Sequence, residues 1–170
     1  MDALDLRSFR LEAGDVRAVD VPISFDPIML GGQTYTVEPD PVDAHLELQA
    51  SADGLYLKLR LRADVVGPCS RCLEPSRTPV TVDAAEYHAR HPEPGAEDEL
   101  TCEYLDDQDQ LDLERWSRDA VMLELPRTML CSEDCPGLCP RCGALLAADP
   151  NHNCATDEVD ERWAKLRELM

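Results

Sequence analysis

Five of the eight cysteines of this 170-residue chain, Cys131, Cys135, Cys139, Cys142 and Cys154, fall within a window of 24 residues. Thiolates are soft donors that suit zinc. Cys139 and Cys142, two residues apart and followed by Gly143, have the spacing of a knuckle whose sulfurs both reach one ion at about 2.3 Å. Cys131 and Cys135, with three residues between them, supply the other two corners of a tetrahedron. Cys154 is an alternate ligand, and His152 beside it a further one. Four thiolates close the shell and leave no position for water or substrate, so the expected zinc is structural, and its binding adds to folding.

Cys69-Ser70-Arg71-Cys72 repeats the two-residue spacing. It can be half of a zinc site shared with Cys139 and Cys142, a contact for a partner, or a redox pair. The redox role calls for a strand-to-helix turn, whereas this loop sits between strands. Cys102 stands alone in acidic sequence and reads as an ordinary thiol. Lys58, Arg60 and Arg62 project from one strand face, with Arg71 and Arg77 in the loop that follows, so a basic strip can contact RNA. The alternative is a solvated face paired across the sheet, for which Glu47 is placed. Residues 83–119 carry thirteen acids against three Lys/Arg, a surface for a basic protein or a plain solvated one. There is no Ser-His-Asp arrangement, phosphate loop or Gly-x-Gly-x-x-Gly, and no enzyme is expected.

The elements that must carry these residues are legible in part. Leucines alternate with polar residues over 55–62, as they do over 45–50, and Ser51-Ala52-Asp53-Gly54 between them ends in an Asp-Gly pair that permits positive φ. A hairpin is predicted there, with a further strand over 79–87. Phe25 to Gly32 and Glu38 to Asp43 read as irregular, and His91 to Glu99 as a mobile loop. Leu113, Trp116, Ala120, Leu123 and Leu125 form a helical stripe, with Asp112 as its cap and Pro126 as its stop. A second helix is predicted over 160–169, where Trp163, Leu166 and Leu169 share a face. The fold class is therefore α+β: an antiparallel β-rich domain over 1–126, with one or two helices, followed by a cysteine-rich zinc-knuckle segment over 127–170.

Leu, Ile, Val and Phe make up 38 residues, so the core is lean, and 16 Lys/Arg against 35 Asp/Glu give a net charge of −19. Such a molecule is not drawn as a whole to phosphate or to an anionic membrane. No stretch approaches the roughly 20 apolar residues of a membrane span, and Met1-Asp2-Ala3-Leu4-Asp5 has no signal-peptide pattern. The expected location is the cytoplasm, where the cysteines stay reduced or bind metal.

With these residues in view, the chain resembles the YceD family of bacterial large ribosomal RNA subunit accumulation proteins. The likeness rests on Gly67-Pro68-Cys69-Ser70-Arg71-Cys72-Leu73-Glu74-Pro75, on Leu111-Asp112-Leu113 with a helix ending Leu123-Glu124-Leu125-Pro126, on 130–143 and on Arg162-Trp163-Ala164-Lys165-Leu166. It implies a role in accumulation of large-subunit (23S) ribosomal RNA, without assigned catalytic residues. It also implies partners among large-subunit components: a basic ribosomal protein, or else the RNA precursor itself. Members similar to this one often carry a late Cys-x-Cys pair, of which Cys154-Ala155-Thr156 keeps the first member. Others lack the C-terminal cysteines but keep the Cys-x-Arg-Cys loop, which brings Cys69, Arg71 and Cys72 nearer the shared function. The expected partner contacts are thus Cys69, Arg71, Cys72, Lys58, Arg60 and Arg62.

Overall fold

The structure is a computed structural model, and it describes residues 3–90 and 101–154. The expected loop over 91–99 and helix over 160–169 fall outside the described residues. Among the described residues eight strands, a short 3-10 helix (Leu6–Phe9) and one α-helix follow in chain order: β1 (Leu4–Asp5), β2 (Val16–Ile23), β3 (Ile28–Leu30), β4 (Gln33–Glu38), β5 (Val42–Ala50), β6 (Gly54–Pro68), β7 (Pro75–Ala89), β8 (Gln110–Leu111) and α1 (Leu113–Leu123), with the 3-10 helix between β1 and β2.

β6 organises the sheet. β7 pairs antiparallel with it along its whole length, from Gly54↔Ala89 to Pro68↔Pro75. Its other edge is shared end to end: β5 takes Leu55 to Leu61 and β4 takes Asp64 to Val66. β2 then adds to β5 and β3 to β4, so that the six strands are antiparallel throughout. The period-two alternation decides which face is buried: Ala44, Leu46 and Leu48 of β5 lie opposite Leu61, Leu59 and Leu57 of β6, and all six are nearly or fully removed from solvent.

The 45–62 hairpin is present, but Gly54 does not adopt the left-handed backbone expected of it. A Cβ at this position would lie 2.5 Å from the carbonyl oxygen of His88 and from the Tyr87 hydroxyl. Close approach of β7 is therefore what requires glycine. Ser51 closes the turn instead, its hydroxyl bonding both N–H and C=O of Gly54 at 3.0 Å. The region read as irregular over 25–32 contains β3.

α1 begins where Asp112 accepts a hydrogen bond from the N–H of Arg115 at 3.0 Å. It packs on β7 and buries Leu113, Trp116, Ser117, Ala120 and Val121. Leu123, expected on that stripe, is 85% exposed. At 100° per residue it lies only about 20° round the helix from buried Trp116, but two turns further on, at the helix's last residue. Among the described residues no helix is long and apolar enough to cross a membrane.

Candidate metal centres

The β6–β7 connection is a loop of six residues, and its hydrogen bonding makes it a knuckle. The N–H of Cys69 bonds the carbonyl of Glu74 at 2.8 Å, and that of Leu73 bonds the carbonyl of Cys69 at 2.9 Å. The loop over 139–144 repeats this pattern: Cys139 N–H to Ala144 at 2.8 Å and Gly143 N–H to Cys139 at 2.9 Å. Both loops turn at the residue after the second cysteine, where φ is 73° at Gly143 and 65° at Leu73. Glycine suits that position. Leu73, 59% exposed, holds it against the steric preference of an L-residue.

Each knuckle faces a second pair of donors. Cys69 and Cys72 meet Cys131 and Cys135, and Cys139 and Cys142 meet His152 and Cys154; within each quartet the ligand atoms lie within 4.8 Å of one another. Sulfurs bound at about 2.3 Å to one tetrahedral ion stand about 3.8 Å apart. The separations here are 3.8 Å for Cys69–Cys135 and 3.6 Å for Cys72–Cys131. A sulfur and an imidazole nitrogen on the same ion stand about 3.6 Å apart, and Cys142 Sγ is 3.4 Å from His152 Nε2. Both quartets can hold a metal ion, and either would close its shell.

Cys131 and Cys135 are thus brought to Cys69 and Cys72, while Cys139 and Cys142 keep company with Cys154 and His152. The four cysteines expected to form one site over 131–142 are divided between two quartets. The chain runs from the first quartet to the second through Pro136-Gly137-Leu138.

Each quartet contains one thiol poised to ionise. Burial would raise Cys69, but the N–H groups of Arg71, Cys131 and Cys72 outweigh it and bring the thiol down to about 6. The N–H groups of Cys142 and Arg141 bring Cys139 to about 6. Burial pushes Cys72 up to about 12, and hydrogen bonding to Cys142 and Cys139 pushes Cys154 up to about 11. A dication arriving in either quartet would displace those protons. Cys102 belongs to neither quartet; it lies in the main core, where burial raises its thiol.

Arg71 joins the two centres. Its guanidinium donates to the carbonyl of Cys135 at 2.9 Å, and its own carbonyl accepts from Leu138 at 3.1 Å. A Cβ on Gly137, at φ 80°, would come within 3.1 Å of that same carbonyl. Lys58 and Arg60 turn to Asp83 on β7, at 3.0 and 3.6 Å, and hold its carboxyl below the usual range. Arg62 is exposed on the same strand, and Arg77 pairs with Asp64 and Glu38.

A cavity of about 580 Å³ opens where β1, β2 and the start of α1 meet, and part of the acidic stretch, from Glu103 to Arg115, lines it. Val21 and Ile23 line its apolar part; Asp5, Glu103, Asp106, Asp112 and Glu114 bring carboxylates to it, and among the described residues Arg115 lines it as a cation while Arg7 pairs with Asp5 at 2.9 Å. Arg115 is itself paired to Glu103 at 2.6 Å. No spacing in the sequence announces this groove, because its walls come from segments some eighty residues apart.

Comparison with known proteins places the site in context. The family described as "Large ribosomal RNA subunit accumulation protein YceD" matches residues 57–170, which takes in both quartets. An uncharacterized protein of Mycobacterium tuberculosis is 40% identical over 150 residues, covering 85% of this chain and 70% of its own. An uncharacterized protein of Mycobacterium bovis has the same identity and coverage. One of Mycobacterium leprae is 30% identical over 133 residues, 76% of this chain and 59% of its own. No solved structure matches.

Proposed function

The chain belongs to the YceD family, and from that membership we propose that it supports accumulation of large-subunit (23S) ribosomal RNA as a non-enzymatic factor of ribosome biogenesis in the cytoplasm. It does so by holding a basic ribosomal protein, or an assembly intermediate presenting one, on its acidic surface. The observation that carries this reading is the groove in which Asp5, Glu103, Asp106, Asp112 and Glu114 gather above an apolar floor, with Arg7 paired to Asp5 and Arg115 to Glu103. Lys and Arg side chains have partners there, and their aliphatic stems have Val21 and Ile23 to cover.

Zinc in the Cys69, Cys72, Cys131 and Cys135 quartet is structural in this reading. Four sulfur donors at tetrahedral separations favour zinc over the harder cations, and a closed shell leaves no position for a reacting group. The ion pins the segment after α1 to the end of the β6–β7 hairpin. The rival, direct recognition of the RNA precursor through Lys58, Arg60, Arg62 and Arg71, is weakened by the use of Lys58 and Arg60 on Asp83 and of Arg71 on Cys135.

The test is purification of the tagged protein from its own cells, with and without nuclease, followed by mass spectrometry. A basic large-subunit protein should survive nuclease, and its affinity should fall as salt is raised from low to physiological strength; an unchanged affinity would refute the electrostatic contact. Departure of every partner with the RNA, together with loss of RNA on R60E/R62E substitution, would establish the rival.

A further inference from the structure

The second quartet has a composition, an exposure and a place in the chain unlike the first. Cys69 and Cys72 lie at the end of the sheet and Cys131 and Cys135 beyond α1, so that quartet joins segments about sixty residues apart, with three of its four thiols buried. Cys139, Cys142, His152 and Cys154 all lie within sixteen residues, and only Cys139 is buried. That short stretch has its own hydrogen bonds: Leu146 N–H to the carbonyl of Gly137 at 3.0 Å, Ala148 N–H to that of Leu145 at 3.1 Å, and His152 N–H to that of Asp149 at 3.0 Å. A Leu138↔Leu145 bridge closes it. The stretch therefore brings its own knuckle and its own returning ligand pair, and needs no sulfur from the sheet.

We propose that Cys139, Cys142, His152 and Cys154 form a second, independent zinc centre of three thiolates and one imidazole, so that the chain binds two zinc ions rather than one. Two observations beyond the gathering of ligands carry it. The 139–144 loop has the hydrogen-bond pattern and left-handed turn of the 69–74 loop, so both cysteines of each knuckle point inward about a common centre. His152 presents Nε2 to the cysteines, while its Nδ1 faces the Asp149 carboxylate at 4.0 Å, on the side where an outer carboxylate orients a metal-bound imidazole. The two centres differ in kind: four thiolates leave a net charge of −2 on the first, three thiolates and a neutral imidazole −1 on the second. The second centre, more open to solvent, gives up its ion to a chelator first.

Zinc content of the full chain, purified in zinc and measured by elemental mass spectrometry, decides this. Two ions per chain are expected for the natural sequence. H152A should fall to one, and C135S, which breaks the first centre, should keep the second ion. Cobalt substitution gives a readout that survives a poorly folding variant: H152C should keep two ions while its tetrahedral cobalt bands change from a mixed sulfur–nitrogen to an all-sulfur form. One ion in the natural chain, two in H152A, or an H152C cobalt spectrum identical to that of the natural chain would each overturn the assignment. None of these results bears on which ribosomal component is bound, so this inference and the proposed function can fail separately.

Discussion

Replacing Cys72 with serine removes one corner of the centre that ties the hairpin end to the segment beyond α1. Cys72 and Cys131 are 59 residues apart, and the ring closed by the ion contains all of β7, β8 and α1. Treated as a cross-link, closure of a ring of that length removes about 4 kcal/mol of chain entropy from the unfolded state. In a protein of this size each kcal/mol moves the melting temperature by roughly 2–4 °C, so the zinc-loaded C72S protein should melt about 8–16 °C below the natural one. The assay is thermal unfolding followed by the circular dichroism of the strands. C142S is the control: Cys142 and His152 are 10 residues apart and close a ring that contains no strand of the sheet. Its loss should move the main transition by no more than about 2 °C, because the ring's entropy is not coupled to unfolding of the sheet. A C72S transition within a few degrees of the natural one, or an equal fall in C142S, would refute the argument that the first ion braces the sheet.

Three further outcomes are expected. L73G should stabilise by up to about 1 kcal/mol, since relief of a left-handed L-residue exceeds the added unfolded-state entropy of glycine; a denaturation midpoint that falls instead would mean that Leu73 packs against something. W116A should cost about 3–5 kcal/mol, because Trp116 is only 2% exposed; a loss below 1 kcal/mol in urea unfolding would contradict that packing. Burial first, and then the charge of Asp119, push the Tyr104 phenol up to about 12. The folded chain therefore holds this proton where the unfolded chain, at about 10, has lost it, and stability should fall as pH rises from about 10 to about 12. Ultraviolet titration should find one of the four tyrosines ionising late, and D119N should bring it down.

Much of the scaffold needed only the sequence. Alternation over 45–50 and 55–62 reports the buried face of two paired strands, because a period of two has one meaning on a pleated sheet. Asp112 and the spacing of Leu113, Trp116 and Ala120 mark the helix and its start, since capping and periodicity are local. β2 and β4 carry the same alternation in a weaker form: Val19, Val21 and Ile23, and Tyr35 and Val37, are their covered positions, but each run is only two or three residues long, and exposed Val16 and Pro22 blur it. Gly54 was visible as a turn residue, but the reason for it, the approach of Tyr87 and His88, belongs to a strand more than thirty residues away.

The cysteines divide in the same way. Two residues between Cys69 and Cys72, and between Cys139 and Cys142, are enough to make each a local pair, because a six-residue loop closes on itself whatever surrounds it. Which pair completes which shell is not written in that spacing. All the thiols are chemically alike, and proximity in sequence favours joining Cys131 and Cys135 to Cys139 and Cys142. The length of the β6–β7 hairpin decides otherwise: it carries Cys69 and Cys72 to the point where the chain emerges from α1, and Arg71 bonded to Cys135 and Leu138 fixes the junction. Types and local spacing of donors are sequence properties, while the partners of each donor are set by where the folded sheet ends.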